Sequence, residues 1–133
     1  MPLYLCNSAP GSIEEHAKAR IARDVTGIHC EITGAPRTFV HVFFFEDAPR
    51  QPLNGRSVFL FGNIRAGRTP DQKQAIVERM RQSIATHTGL PIGKILVDTT
   101  DVPAGWVMEG GSLLPEPGDE EAWLASHAST ISG

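Results

Sequence analysis

Two cysteines, one tyrosine and no apolar run approaching twenty residues leave several classes of protein without support. Cys6 and Cys30 form no Cys-x-x-Cys pair. With no signal-like start, they point to a reducing compartment in which both serve as small hydrophobes. The absence of a membrane-length segment predicts a soluble chain with no membrane partner, and a cytoplasmic location is expected. The five histidines, His16, His29, His41, His87 and His127, show no pair at a metal-ligand spacing, so no metal is expected. Basic excess is also missing. A net charge of −3, with acids and bases interspersed, presents neither a basic face for nucleic acid nor a polybasic patch. What the chain does have is 41% hydrophobic residues over 133 positions, enough for one compact domain spanning 1–133 with a core of its own.

The order of elements repeats. Leu3 to Cys6 is apolar enough for a strand, and Asn7-Ser8-Ala9-Pro10-Gly11 breaks it. Ser12 and Glu15 have the spacing of a capping box that opens a helix, along which Ala17, Ile21, Ala22, Val25, Ile28 and Ile32 recur on one face until Gly34 and Pro36. Arg37 to Phe45, aromatic and β-branched on both faces, predicts a central strand covered on each side. After a loop over Asp47 to Gly55 the pattern returns as a strand over 58–64, a helix from Thr69 to about His87, and a strand from Lys94 to Thr99. Gly34 and Gly89, Pro36 and Pro91, and Glu46 and Asp101 are each 55 positions apart. The reading is therefore two fused β-α-β units, about 2–49 and 57–104, followed by a C-terminal segment 105–133. Crossovers of the usual hand then give an α/β (α+β) fold with a four-stranded, mainly parallel-paired sheet and two helices on one face. The other sheet face, apolar as well, predicts an oligomer formed through the sheet.

The stretch Ser57 to Met80 carries the strongest chemical signal. Val58 to Ile64 leads into Thr69-Pro70-Asp71-Gln72, where Thr69 can cap, Pro70 fits the first helical position and Gln72 closes a capping box. Arg65 and Arg68 lie between strand and helix. Cations near a helix N-terminus are disfavoured by roughly 0.3–1 kcal/mol, a conflict that a bound carboxylate relieves.

Five segments together resemble the tautomerase superfamily, specifically the group around cis-3-chloroacrylic acid dehalogenase. They are Pro2-Leu3-Tyr4, Ile28-His29, Ile64-Arg65-Ala66-Gly67-Arg68, Met108-Glu109-Gly110-Gly111, and the run from Leu114-Pro115-Glu116-Pro117-Gly118 to Trp123. The resemblance runs nearly end to end, and Arg-x-Gly-Arg with Pro-x-Pro-Gly-x-Glu-x-x-Trp are its specific parts. It implies a tautomerase-like homotrimer, with Pro2 as the catalytic amine after removal of Met1. Arg65 and Arg68 would bind a substrate carboxylate, His29 would help bind and polarise it, and Glu109 would activate water. Tyr4 and Asp98 are further candidates. Asp98 stands where the dehalogenases carry a tyrosine that assists the glutamate, so the resemblance to a dehalogenase is weakest there.

A reference α-amino group titrates at about 7.7–8.0, near enough to neutrality for either acid or base work. Guanidiniums nearby lower that value and carboxylates such as Glu109 raise it. A neutral amine shifts a proton between carbon and oxygen, which is tautomerisation. A cationic one protonates an unsaturated acid while Glu109 steers water, which is hydration or hydrolytic dehalogenation. The expectation is a tautomerase or hydratase that needs no cofactor and acts on a small unsaturated or 2-oxo carboxylate. The alternatives are a dehalogenase of cis-3-haloacrylate and a non-catalytic trimeric binding module.

Overall fold

A computed structural model of the chain describes residues 1–46 and 52–127. Part of the loop expected over Asp47 to Gly55, the end of the first unit and the last residues of the C-terminal segment lie outside the described residues. β1 (Leu3–Ser8), α1 (Glu15–Thr33) and β2 (His41–Phe45) are followed by β3 (Val58–Arg65), α2 (Pro70–Thr88) and β4 (Ile95–Val102). The C-terminal segment adds the short strands β5 (Met108–Glu109) and β6 (Ser112–Leu113) and a third helix, α3 (Glu120–Ser126). The bounds of α1 and α2 differ by 55 at both ends, as do those of the 3-10 turns Arg37–Phe39 and Ile92–Lys94. Gly34 and Gly89 close the two helices in the left-handed conformation, at φ 77° and 74°, which glycine adopts without a Cβ penalty.

The sheet order is β2-β1-β3-β4, with β1 parallel to β2, β3 parallel to β4, and β1 antiparallel to β3. Each unit thus contributes a parallel pair, and the two pairs join through their first strands. Alternation along the strands sends Tyr4, Cys6, Val58, Leu60, Ile64, Ile95 and Val97 to the face covered by both helices. There they meet Ala17, Ile21, Val25 and Ile28 of α1 and Ile76, Met80 and Ile84 of α2. The opposite face carries Leu3, Leu5, Phe43, Phe59, Phe61 and Leu96. Phe43 on that face is 53% exposed. No helix among the described residues is long and apolar enough to cross a membrane.

Three local expectations need correction. Arg37 to Phe45 is not one central strand. Its first residues form the turn Arg37–Phe39, and β2 is an edge strand because β1 already pairs on its other side with β3. The Ser12–Glu15 capping box does not form. Ser12 N–H bonds Ala9 O at 3.1 Å in a turn, Ile13 enters the core, and Glu14 becomes the N-cap without a side-chain bond. The second box does form, with Thr69 Oγ1 accepting from Gln72 N–H at 3.1 Å and Gln72 Oε1 from Thr69 N–H at 2.9 Å. β4 runs on to Val102, so the last strand is longer than the apolar run that announced it, because Thr99 to Val102 pair with Gly62 to Arg65 whatever their side chains.

Candidate active site

The chain terminus is half-buried at Met1 and buried at Pro2, against β2 and β5, unlike most termini, which are loosely held at the surface. Pro2 is buried, and its carbonyl accepts from His41 N–H at 3.0 Å, the bond that continues the parallel β1–β2 ladder. The Met1 ammonium is hydrogen-bonded to Glu109 Oε1. The same oxygen lies 3.4 Å from His41 Nε2. Burial lowers the ammonium's pKa below the ordinary α-amino value. Glu109 opposes that shift, and the charge of Arg65 adds to it.

Beneath this, on the helix face, Tyr4 Oη and His29 Nδ1 are hydrogen-bonded at 2.8 Å with both side chains fully enclosed. Tyr4 reaches across β3 only because Gly62 is its cross-strand neighbour. A Cβ there would lie 2.5 Å from the tyrosine ring. Burial pulls the His29 pKa down to about 3, and Arg68, Arg65 and the terminal amine push in the same direction. His29 is therefore a neutral imidazole that offers one donor and one acceptor, not a charge. Burial also pushes the Tyr4 hydroxyl well above its ordinary value, against the pull of Arg68.

Arg65, the last residue of β3, is 1% exposed and lies over the Phe39 ring at 5.3 Å. Its Nη1 donates to Pro115 O at 2.7 Å and its Nη2 to Glu120 Oε1 at 2.9 Å. Arg68 donates through Nη1 to Thr33 O at 3.2 Å and makes a looser 3.5 Å contact with Glu120. The expectation that an outside carboxylate relieves this pair is therefore met in part from within, by Glu120 of α3. Burial raises the Glu120 pKa, but hydrogen bonds from its own backbone N–H, Arg65 and Gly118 prevail and hold it below the usual carboxylate range. Arg68 Nε stays buried with no hydrogen-bond partner, an unmet donor on a guanidinium whose charge reaches His29 and Tyr4.

Of the residues singled out in the sequence, Pro2, Tyr4, His29, Arg65, Arg68 and Glu109 are thus brought to one end of the sheet. Asp98 is not. It is exposed on β4, the far edge from β2, and its Oδ1 accepts from Thr99 N–H at 2.9 Å. Reasoning from sequence missed His41 and the role of Glu120. His41 is the one polar side chain in the apolar run Val40 to Phe45, and Glu120 is the acid of the Pro-x-Pro-Gly-x-Glu-x-x-Trp block, so both left a signal.

A cavity of about 360 Å³ lies against the terminus, lined by Met1, Leu3, His41, Phe43, Val107 and Glu109 among others. A larger hollow of about 590 Å³ between α1 and α2 holds Arg23, Asp24, Glu31 and Arg79. Its charges are largely matched among themselves, Arg79 with Glu31 at 2.8 Å and Asp24 with Ser83 and His87 at 2.8 Å each, so size alone does not make it the site.

Residues 1–127 match the model of a family described as putative oxalocrotonate tautomerase enzymes. A probable tautomerase of Lactococcus lactis subsp. lactis (strain IL1403) is 38% identical over 47 residues, which cover 35% of this chain and 77% of that protein. Among solved structures, N1, a member of the cis-3-chloroacrylic acid dehalogenase family, is 34% identical with a TM-score of 0.85 over 98% of this chain and 99% of its own. A fused 4-OT determined as a symmetric trimer shares the fold at 20% identity and a TM-score of 0.72, covering 85% of this chain and 95% of that one. The chain belongs to the putative oxalocrotonate tautomerase family and is an enzyme of the tautomerase superfamily, with the group around cis-3-chloroacrylic acid dehalogenase among its relatives.

Proposed function

We propose that the chain is a cofactor-free tautomerase or hydratase that uses the amine of Pro2, once Met1 is removed, as an acid or base on a small unsaturated or 2-oxo carboxylate. With Met1 attached the ring nitrogen is an amide and has no basic lone pair. The observation that carries the reading is the burial of Pro2 at the start of β1, next to a Met1 amine hydrogen-bonded to Glu109, with neutral His29 and the unmet donor of Arg68 at the same end of the sheet. Pro2 itself is buried, and burial favours the uncharged form of the amine exposed there once Met1 is gone; an uncharged amine takes a proton from carbon. Arg68 supplies the charge-assisted anchor for the carboxylate, and the neutral imidazole of His29 donates to a carbonyl oxygen without adding a third cation. Such an anchor fixes the substrate so that proton removal and return act at adjacent atoms.

The likeness to N1 supports a second reading, hydrolytic dehalogenation of a cis-3-haloacrylate with Glu109 directing water. The position of Asp98 at the far edge of the sheet weighs against it within one chain. A homotrimer assembled through the open sheet face belongs to both readings and agrees with the trimeric fused 4-OT.

The test pairs intact mass of the purified chain, which reports loss of Met1, with the pH–rate profile on an enol of a 2-oxo acid. Pro2→Ala, which puts a primary amine in place of the secondary one, is expected to lower turnover by about a hundredfold or more and to shift the amine's ionisation in the profile. Unchanged turnover in that variant ends the proposal, and chloride release from haloacrylate without enol turnover transfers it to the second reading.

A further inference from the structure

We infer that His41 is a positioning residue that holds the Glu109 carboxylate in place at the cavity by the amino end of β1. The inference rests on the reading of Glu109 and the amine as the reacting pair. Two contacts tie His41 to that pair. Its backbone N–H donates to Pro2 O at 3.0 Å, and its Nε2 lies 3.4 Å from Glu109 Oε1, the oxygen that accepts from the Met1 ammonium while Met1 is attached.

β5 is only two residues long and pairs with the equally short β6, so backbone pairing does little to fix the Glu109 side chain. A side chain from β2, a strand in the main sheet, supplies a further contact to that carboxylate. Packing does not explain the imidazole. The side chain is 50% exposed and overhangs the 360 Å³ cavity, where it buries little apolar surface. The backbone bond to Pro2 needs no particular side chain, so what histidine adds at this position is Nε2 in contact with the Glu109 carboxylate.

The charged groups around the imidazole are Glu109, the terminal ammonium on the same oxygen, and Arg65, whose charge reaches that ammonium from the end of β3. Contact of Nε2 with Oε1 engages one carboxylate oxygen and leaves the second free of His41, which suits a group that must receive a proton from water or hand one to the amine.

His41→Leu removes the donor and His41→Gln keeps an N–H at similar reach, while both keep the backbone bond. With the enol form of phenylpyruvate as probe, His41→Leu is expected to lower kcat about tenfold with KM changed by no more than about twofold, and His41→Gln to restore most of the loss. Ring ¹⁵N shifts of His41 are expected to change in Glu109→Gln, a readout that needs no turnover. Parental kcat in His41→Leu overturns the inference, as does a His41→Gln variant no better than His41→Leu, or a ¹⁵N spectrum indifferent to Glu109→Gln. If Glu109→Gln itself keeps parental turnover, the reading of Glu109 falls and His41 with it. If Glu109→Gln is inactive while His41→Leu is not, only the inference about His41 falls.

Discussion

At the scale of single residues, the site is governed by groups forced away from their ordinary protonation state. His29 is the clearest. Its imidazole titrates at about 3 in the folded chain against an ordinary value of 6.5, so between those limits the unfolded chain binds the extra proton. Stability from this group is complete above pH 6.5 and falls as the pH drops toward 3, by about 1.4 kcal/mol per unit while the folded imidazole stays neutral. His29→Gln is therefore expected to flatten the decline of the urea midpoint between pH 6.5 and 5 relative to the parent, by about one proton's worth. Parallel declines in the two proteins would show that His29 is not the neutral buried group described. Glu120 and Arg65 make the complementary point. Their pairing spans 55 residues of sequence, and no local pattern announces which acid meets which guanidinium.

At the scale of elements, what the sequence made legible followed from local rules. Gly34 and Gly89, Thr69 with Gln72, and the apolar faces of α1 and α2 are set by backbone conformation and periodicity, and their structure agrees with the reading. The edge position of β2 was not legible, because an apolar run reads the same whether its partner face is filled by its own chain or left open. Close approach between strands is likewise invisible locally, and Gly62 shows it. Ala at 62 would drive a Cβ to 2.5 Å from the buried Tyr4 ring and loosen the Tyr4–His29 bond, whereas Ala at 27, inside α1, meets nothing within 4 Å. The expected outcome in urea melts is a loss of about 1–3 kcal/mol for Gly62→Ala and a gain of roughly 0.5–1 kcal/mol for Gly27→Ala. A Gly62→Ala protein as stable as the parent would mean that Tyr4 does not lie across β3 as described.

At the scale of the whole molecule, the two sheet faces pose unequal problems. One is covered by α1 and α2, while the other leaves Leu3, Leu5, Phe61 and Leu96 partly open, with Phe43 at 53% exposure on the edge strand. Apolar surface costs about 25 cal/mol per Å² in water, so a contiguous face of this kind favours association over solvation. Phe61 sits on the inner strand β3 opposite Leu5, with its ring edge-to-face to Phe59 at 5.8 Å, and is not among the residues lining the cavity at the terminus. A carboxylate at that position enters any interface formed by the face without replacing a residue of that lining. Light scattering on the parent is expected to give about three times the chain mass of 14.4 kDa. Phe61→Glu is expected to give the single-chain mass, with the far-ultraviolet circular dichroism of the parent retained. A parent that runs as a single chain, or a Phe61→Glu variant that remains trimeric, would mean that the open sheet face is not the assembly surface.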